Sequence, residues 1–181
     1  MAKLLKLITI ILLFITISFI YLYQTTLNKI FLTLAITFGT CFYHFIMRLI
    51  VGLIFSVTMK NRVDYHKRWF QIRQFEKRLY RKLKVKKWKD RMPTYDVDQF
   101  DMKKHSLDEI AQSMTQAELV HEVIVVFSFI PIIAGYWFGV YPVFIITSIM
   151  AALFDLIFVM MQRYNRDRII KIMMLRHKKM V

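Results

Sequence analysis

The sequence predicts an all-α integral membrane protein with about four transmembrane helices and a basic amphipathic interfacial helix between the second and the third. Of its 181 residues, 57% are hydrophobic, whereas a soluble domain has roughly 45–50% apolar residues. The mean hydropathy is +0.42, although the formal net charge is +15. A soluble surface does not combine these values, so the apolar and the basic residues must lie in separate parts of the chain.

The basic residues do form separate blocks. Residues 60–116 include 16 basic and 8 acidic residues, whereas residues 117–162 contain three acidic residues and no Lys or Arg. This alternation excludes a soluble nucleic-acid-binding protein and a disordered basic tail, and the single cysteine, Cys41, excludes a secreted disulfide scaffold. A multi-pass membrane protein is the class that remains.

Four apolar stretches are long enough to cross about 30 Å of hydrocarbon as helices. They cover residues 4–23, 30–57, 119–136 and 141–161. The first stretch continues without a small-residue cleavage site, so we expect a retained helix and not a signal peptide. Lys and Arg concentrate between the second and third stretches and after the fourth. The positive-inside rule therefore predicts that both termini are cytoplasmic in the cell membrane.

These stretches divide the chain into three predicted regions. They are an N-terminal transmembrane hairpin (1–59), a cytoplasmic basic interfacial segment (60–105) and a C-terminal transmembrane hairpin with a basic tail (106–181). Pro93 predicts the end of the interfacial helix, and residues 94–104 predict a loop. Ser106 and Glu109 have the spacing of a capping box, and the helical pattern then continues into the third span as far as Pro131.

The interfacial segment contains an amphipathic pattern. Apolar side chains recur at helical spacing: Ile72, Phe75, Leu79 and Leu83. Basic side chains fill other positions: Arg73, Lys77, Arg78, Arg81 and Lys82. Three aromatic residues are predicted to anchor this helix: Trp69, Phe70 and Trp88. The pattern is typical of a helix on a membrane surface, with its cations over anionic inner-leaflet phospholipids, although charges that only set the topology would give the same composition.

Ionisable residues lie inside the predicted spans, where a charged side chain costs roughly 2.5–3.5 kcal/mol to insert. They are His44, Arg48, Glu118, His121, Glu122 and Asp155. The two on the second span share a helix face, as do the three on the third span. The spacing predicts a single polar pocket between the helices, open to the cytoplasmic leaflet. The alternative is a set of structural interhelical hydrogen bonds, with Arg48 paired to Asp155 or Glu122.

Three motifs carry a resemblance to a known family. They are FEKRLYRKLKVKKWKDRMP at 75–93, AELVH at 117–121 and QRYNRDR at 162–168, and the resemblance in their order and spacing covers roughly residues 69–176, well over half of the chain. In these motifs the chain resembles the glycosyl-4,4'-diaponeurosporenoate acyltransferases, small bacterial membrane proteins of carotenoid biosynthesis. Members of that family esterify a fatty acyl group onto a sugar hydroxyl of a lipid.

Six positions match the family motifs: Glu118, His121, Arg163, Asn165, Arg166 and Arg168. Five positions depart from them, where the family has Glu, Thr, Arg, Trp and Pro: Ser113, Met114, Gln116, Glu122 and Asp167. The departures concern the substrate more than the fold. The resemblance therefore implies a lipid or glycolipid acyltransferase, and not necessarily one that acts on a carotenoid.

The chemistry predicted for the pocket is direct acyl transfer, because the chain has no G-x-S-x-G nucleophile motif. His121 is the predicted general base, which removes a proton from a hydroxyl as that oxygen attacks an acyl thioester or ester. Glu118, one turn earlier, is predicted to orient the imidazole ring. His44 is the second candidate for the base.

The remaining site residues are predicted to bind substrate. Arg48 would stabilise the oxyanion or bind a phosphate, with Glu122 and Asp155 beside it in the pocket. Polar side chains at the end of the fourth span would bind phosphates of the acyl donor, an acyl-CoA or a phospholipid: Gln162, Arg163, Tyr164, Asn165, Arg166 and Arg168. Topology alone also produces basic residues after a last span. No cofactor and no metal is predicted, since the chain has no H-E-x-x-H motif.

The predicted function is therefore a membrane acyltransferase that moves a fatty acyl group onto a hydroxyl of a lipid-linked sugar or another lipid acceptor at the cytoplasmic leaflet. Its partners would be membrane lipids and not nucleic acid. Two alternatives stay open. One is a non-catalytic membrane assembly or lipid-binding subunit, and the other is a flippase-like protein, which would need a polar path through the outer half of the bilayer.

Overall fold

The computed structural model describes residues 2–92 and 98–180, and within them the chain forms helices and no strand. The α-helices are α1 (Ala2–Thr26), α2 (Lys29–Met59), α3 (Gln74–Lys82), α4 (Val85–Trp88), α5 (Leu107–Phe127), α6 (Pro131–Phe138) and α7 (Tyr141–Met180). Short 3-10 turns cover Arg68–Phe70, Lys89–Arg91 and Asp98–Phe100. The predicted helix stop at Pro93 and the start of the predicted loop, 94–97, lie outside the described residues.

Four helical stretches are long and apolar enough to cross a membrane. They are Ala2–Thr26, Lys29–Met59, Leu107–Phe138 and Tyr141–Lys178. They confirm the predicted class, an all-α multi-pass membrane protein. Their bounds are wider than the apolar runs, because backbone hydrogen bonding continues into polar sequence until a cap or a turn ends the helix.

The third membrane-spanning stretch begins at the predicted capping box. The Glu109 backbone N–H donates to Ser106 Oγ at 3.2 Å, and the Ser106 backbone N–H donates to Glu109 Oε2 at 2.8 Å. Two free donors at the start of α5 are thereby satisfied, and the predicted capping box is confirmed. The helix ends at Phe127, and α6 resumes at Pro131, where a residue without an N–H fits the first helical turn.

The chain forms two compact units, each made of two segments that are distant in sequence. The first, which we call the apolar unit, takes Met1–Leu53 and Val123–Asp155. The second, the basic unit, takes Ile54–Glu122 and Leu156–Val181. The three predicted regions follow chain order, and that division stays a prediction.

In the apolar unit, α1 packs on α2 through aromatic rings and a small residue. The Phe19 and Phe38 rings stack with their centroids 5.5 Å apart. A Cβ atom at Gly39 would lie 3.4 Å from Thr16 Cγ2, so the glycine permits a close approach of the two helices. Many large side chains of α1 stay exposed, such as Phe14 at 65%. This exposure is expected for a helix that lipid tails surround.

In the basic unit, α3 has the predicted amphipathic character. Glu76 and Tyr80 point inward and are buried, whereas Phe75, Leu79 and Leu83 are 60%, 41% and 44% exposed. The contact of this exposed apolar face with a membrane surface stays a prediction. The prediction for Phe70 is wrong: its side chain is only 7% exposed and cannot anchor the helix in lipid. Its ring is buried because it packs beneath a guanidinium group of α7.

Tyr65 connects the segment before α3 to the start of α5. Its hydroxyl makes the stability of the folded chain depend on pH, and this dependence can be tested. Its hydroxyl donates to Asp108 Oδ1 at 2.6 Å. Burial, followed by this hydrogen bond, raises the pKa of Tyr65 from 10.0 to about 12. The folded chain therefore keeps the phenol proton to a higher pH than the unfolded chain. The contribution of the Tyr65 hydroxyl to stability is complete below about pH 10 and is lost as the pH rises from about 10 to 12.

We expect Tyr65→Phe to remove this contribution and to flatten the dependence of the unfolding temperature on pH between about 10 and 12. Thermal unfolding of the wild type and the variant across this range would measure it. Tyr21, which is exposed on α1, gives the matched control, Tyr21→Phe. Equal pH dependence in the wild type and Tyr65→Phe would contradict the role assigned to the Tyr65 hydroxyl.

Candidate active site

The basic unit contains a group of buried or half-buried charged side chains from three helices. Its members are Glu76 of α3, Glu118 and Glu122 of α5, and Arg163 and Arg166 of α7. We call it the carboxylate–guanidinium cluster. The residues on α5 are four apart and those on α7 are three apart, so each pair shares a helix face.

Arg163 binds all three carboxylates of this cluster. Its Nε donates to Glu118 at 2.7 Å, its Nη1 donates to Glu76 at 2.5 Å and its Nη2 donates to Glu122 at 3.0 Å. The planar guanidinium presents donors in a fixed fork, so three carboxylates from two helices are held in one arrangement. Arg163 thereby fixes the positions of Glu118 and Glu122 relative to α3.

Arg166 is the most deeply buried cation of the cluster, with 1% of its surface exposed. Its Nη1 forms an ion pair with Glu118, which is fully buried, and its Nη2 donates to the Phe70 carbonyl. Its guanidinium carbon also lies 5.4 Å from the centre of the Phe70 ring. A buried ion pair of this kind is stable only while both partners are present, because removal of one side chain leaves the charge of the other uncompensated.

The cluster carries an excess of negative charge when all five groups are ionised, because it has three carboxylates and two guanidinium groups. Glu122 is the carboxylate with the most exposed side chain, at 20%. Its second oxygen accepts a hydrogen bond from the Trp69 indole nitrogen at 2.9 Å. A positive charge that develops close to Glu122 would be stabilised by this excess.

His121, the predicted base, lies on α5 between the two carboxylates in sequence and is half-buried. Its imidazole stacks on the Phe158 ring of α7, with centroids 4.8 Å apart and planes inclined by 11°. The oxygens of Glu118 accept hydrogen bonds from Arg163 and Arg166. This geometry favours a positioning role for Glu118 towards the two arginines, and its predicted role in orienting His121 stays a prediction.

A cavity of about 130 Å³ borders the cluster in the basic unit. Arg163, Arg166 and an ion pair of Lys171 with Asp167 line it together with apolar side chains, among them Ile72, Ile170 and Met174. A wall that combines charged and aliphatic groups suits a lipid at the junction of its polar and acyl parts.

A second group of polar side chains lies in the apolar unit, on α2 and α7. Arg48 forms an ion pair with Asp155, as the structural alternative predicts. Its Nη1 donates to the His44 carbonyl at 2.5 Å, and its Nη2 lies 3.4 Å from the Ala151 carbonyl oxygen. Ser148, one turn before Ala151, is fully buried. We call His44, Arg48, Ser148 and Asp155 the α2–α7 polar site.

Several buried atoms of the α2–α7 polar site have no hydrogen-bond partner among the described residues. They are Nδ1 and Nε2 of His44, Nε of Arg48 and Oγ of Ser148. A buried polar group without a partner costs about 1–3 kcal/mol. The carboxylate–guanidinium cluster contributes no atom to this set. The two groups therefore differ in kind: the cluster members do not appear among the described buried atoms without partners, whereas several atoms of the α2–α7 polar site do.

The predicted site residues thus fall into the two units. His44, Arg48 and Asp155 belong to the apolar unit, whereas Glu118, His121 and Glu122 belong to the basic unit. Within each unit the predicted neighbours do come together. The single pocket that would join all six stays a prediction.

The predicted donors at the end of the fourth span lie on α7, which continues without interruption to Met180. Arg163 and Arg166 direct their nitrogens to carboxylates and to a carbonyl. Gln162 is buried, Asn165 is half-buried and Arg168 is exposed. The Tyr164 ring meets the Tyr80 ring edge to face at 6.4 Å. Binding of donor phosphates by these residues stays a prediction.

Sequence reasoning missed Glu76 and Tyr80. Glu76 is the single acidic residue between 65 and 89, in a strongly basic segment, and that isolation was the available signal. The Tyr80 hydroxyl lies 3.5 Å from Glu76 Oε1. Burial, and then the charge of Glu76, raises the pKa of Tyr80, so its phenol stays protonated at neutral pH. In the described part of the chain no three His, Cys, Asp or Glu residues are placed to hold a metal ion.

The comparison with protein families gives a match over most of the C-terminal part of the chain. The family model described as glycosyl-4,4'-diaponeurosporenoate acyltransferase matches residues 66–175. No curated protein and no solved structure matches the chain. The matched region contains every member of the carboxylate–guanidinium cluster, and the match supports an acyltransferase-type role at the level of the family. Because it covers more than half of the chain, this protein belongs to the glycosyl-4,4'-diaponeurosporenoate acyltransferase family.

Proposed function

We propose that this protein moves a fatty acyl group onto a hydroxyl of a lipid-linked sugar or another lipid acceptor, at the cytoplasmic leaflet of the cell membrane. The observation that carries the proposal is the position of His121. It lies on α5 between Glu118 and Glu122 in sequence, two carboxylates of a cluster that carries excess negative charge when all its groups are ionised, and within the region that matches an acyltransferase family. An accessible base next to such a cluster is suited to proton transfer during acyl transfer.

In the proposed reaction, an imidazole nitrogen of His121 removes the proton of the acceptor hydroxyl while that oxygen attacks the acyl carbonyl carbon. The new C–O ester bond forms as the thioester or ester bond of the donor breaks. The leaving group takes the proton from the imidazolium, so the enzyme ends as it began. The negative charge around Glu122 stabilises the transient imidazolium. The donor is an acyl-CoA or a phospholipid, and His44 is the second candidate for the base.

The other site residues support this reaction in different ways. Arg163 and Arg166 hold Glu118 and Glu122, while Asn165 and Arg168 of the same helix contact the phosphates of the donor. The exposed apolar face of α3, with its flanking cations, rests on anionic phospholipids of the inner leaflet. Both termini are then cytoplasmic.

A lipid-binding or assembly subunit without catalysis is the second candidate function. The observation that favours it is the complete use of the Arg163 nitrogens inside the cluster, as in a purely structural network. Such a protein would keep its lipid contacts and its fold when His121 is replaced. The two candidate functions are therefore distinguished by the acylated lipid product, which only a catalytic protein forms.

Mass spectrometry of lipids from cells with and without this chain tests the proposed function. We expect one lipid class to gain the mass of one fatty acyl group when the chain is present, which identifies acceptor and acyl group together. Cells that produce the His121→Ala variant at the same membrane level serve as the control. An unchanged lipid composition in cells that contain the membrane-inserted wild type would contradict the proposal.

A further inference from the structure

We infer that the α2–α7 polar site binds an uncharged hydroxyl group of a lipid. The inference goes beyond the proposed function and does not depend on it, because the acceptor hydroxyl of that reaction is assigned to His121 of the basic unit, whereas this site belongs to the apolar unit. The binding itself follows from the burial, the charge and the hydrogen-bonding capacity of the apolar unit.

The site has polar atoms that its surroundings do not satisfy. His44 is 4% exposed and Ser148 is fully buried, and among the described residues neither side chain has a hydrogen-bond partner. The Nε of Arg48 is in the same situation. In a membrane span, water is scarce and such groups are rare unless they bind something. A ligand that supplies hydrogen bonds would remove the cost of their burial.

The charge of the site excludes an ionic ligand. Arg48 and Asp155 form an ion pair and neutralise each other. No other acidic residue lies in the two segments of the apolar unit, and its lysines, Lys3, Lys6 and Lys29, are near the ends of α1 and α2. A phosphate, a carboxylate or an ammonium group would therefore bring an uncompensated charge into hydrocarbon. This differs from the predicted phosphate contact of Arg48 and favours a neutral polar group.

The hydrogen-bonding capacity selects a hydroxyl. Arg48 Nε–H can only donate, whereas an uncharged imidazole has one donor and one acceptor, and the Ser148 hydroxyl can do both. An ester carbonyl would satisfy the donors but would leave the acceptor nitrogen of His44 without a partner. A hydroxyl both accepts and donates hydrogen bonds, and so it can pair with the donor atoms and with the acceptor atoms of the site. A lipid hydroxyl and a water molecule share this chemistry, and the experiment must separate them.

The atoms lie close enough along the two helices to act together. His44 precedes Arg48 by one turn of α2, and Arg48 reaches towards the Ala151 carbonyl and binds Asp155 on α7. Ser148 shares a buried helix face with Ala152 and Asp155. The contacts of Arg48 therefore bring the His44 turn of α2 to the Ser148–Asp155 stretch of α7.

Photoaffinity labelling in nanodiscs of phosphatidylcholine, a lipid without a hydroxyl, tests this inference. The probe is a diazirine-bearing diacylglycerol with one free hydroxyl, and its matched control is the same lipid with that hydroxyl methylated. We expect the methyl ether to label the apolar unit about 3- to 10-fold less, the effect of losing one or two net hydrogen bonds. No acyl donor is present, so labelling does not depend on catalysis.

Two variants and one matched control complete the experiment. His44→Phe and Ser148→Ala should reduce labelling by the free hydroxyl probe to the level of the methyl ether, while their unfolding temperatures equal or exceed that of the wild type. Removal of unpartnered polar atoms does not cost folding energy. Ser128→Ala is the control, because Ser128 is equally buried in the same unit but its Oγ already donates to the Ile124 carbonyl at 2.8 Å. It should keep the labelling of the wild type.

Equal labelling by the two probes would overturn the inference, because a site filled by water does not distinguish them. Lower stability of both His44→Phe and Ser148→Ala with unchanged labelling would also overturn it and assign the side chains to structure. A wild type that forms acylated lipid but does not distinguish the probes contradicts the hydroxyl site alone. A wild type that distinguishes the probes but forms no product contradicts the proposed function alone.

Discussion

Replacement of Arg166 by methionine is expected to destabilise the basic unit by about 3–5 kcal/mol, the cost of leaving one member of a buried ion pair without its partner. Glu118 is fully buried and would lose one of its two guanidinium partners. The Phe70 carbonyl would lose its donor as well. Methionine has a similar length and fills part of the space, so the lost charge and not a cavity dominates the effect. Unfolding of the purified protein in mixed micelles, followed by circular dichroism, measures the change.

The exposed Arg168 on the same helix provides the control for Arg166→Met. Arg168→Met removes the same charge from the chain but no buried contact, and its unfolding temperature should equal that of the wild type. The double variant Arg166→Met with Glu118→Gln should recover part of the lost stability, because it also removes the orphaned charge. If Arg166→Met and Arg168→Met unfold at the same temperature, the buried ion pair of Arg166 with Glu118 does not stabilise the unit.

Replacement of His121 by alanine is expected to reduce the rate of acyl transfer by about 10²- to 10⁴-fold, the usual contribution of a positioned general base. The protein should remain folded, because the imidazole is half-buried and its replacement leaves the ion pairs of the carboxylate–guanidinium cluster in place. Transfer of a labelled acyl group to lipid in vesicles, normalised to the amount of inserted protein, measures the rate.

His105 gives the matched control for this second prediction. Its imidazole is exposed near the start of α5 and lies 3.8 Å from Glu109, so His105→Ala should leave the rate unchanged. Full activity of His121→Ala would remove the assigned base. Full activity together with lower stability would identify the region as scaffolding.

The helices could be predicted from the sequence because their causes are local. Apolar runs of sufficient length predict spans, and the α5 capping box needs only the three-residue spacing between Ser106 and Glu109. The amphipathic α3 follows from periodicity in the same way. The inward position of Phe70 could not be read from this pattern. An aromatic residue beside Trp69 is equally suited to lipid and to a guanidinium of another helix.

The candidate site was predictable in its residue types but not in its pairing. Ionisable residues in apolar spans had to find partners, and the sequence indicated Arg48 with Asp155 as one option. Glu76 was assigned no role, because its partner Arg163 lies 87 positions further along the chain. The sequence also could not predict that side-chain atoms of His44 and Ser148 lack hydrogen-bond partners among the described residues. Whether a polar atom is satisfied depends on every neighbour and not on its own residue type.

By itself the sequence determined the membrane-spanning helices, the basic amphipathic helix and the family, because each depends on the order of residues along the chain. Only the tertiary structure decided which charges meet. Arg163 takes carboxylates 41, 45 and 87 positions away, and these contacts exist only after α3, α5 and α7 pack together. The same packing satisfied the carboxylate–guanidinium cluster and left the α2–α7 polar site with unpartnered atoms, because hydrogen bonding requires three-dimensional proximity that sequence spacing does not encode.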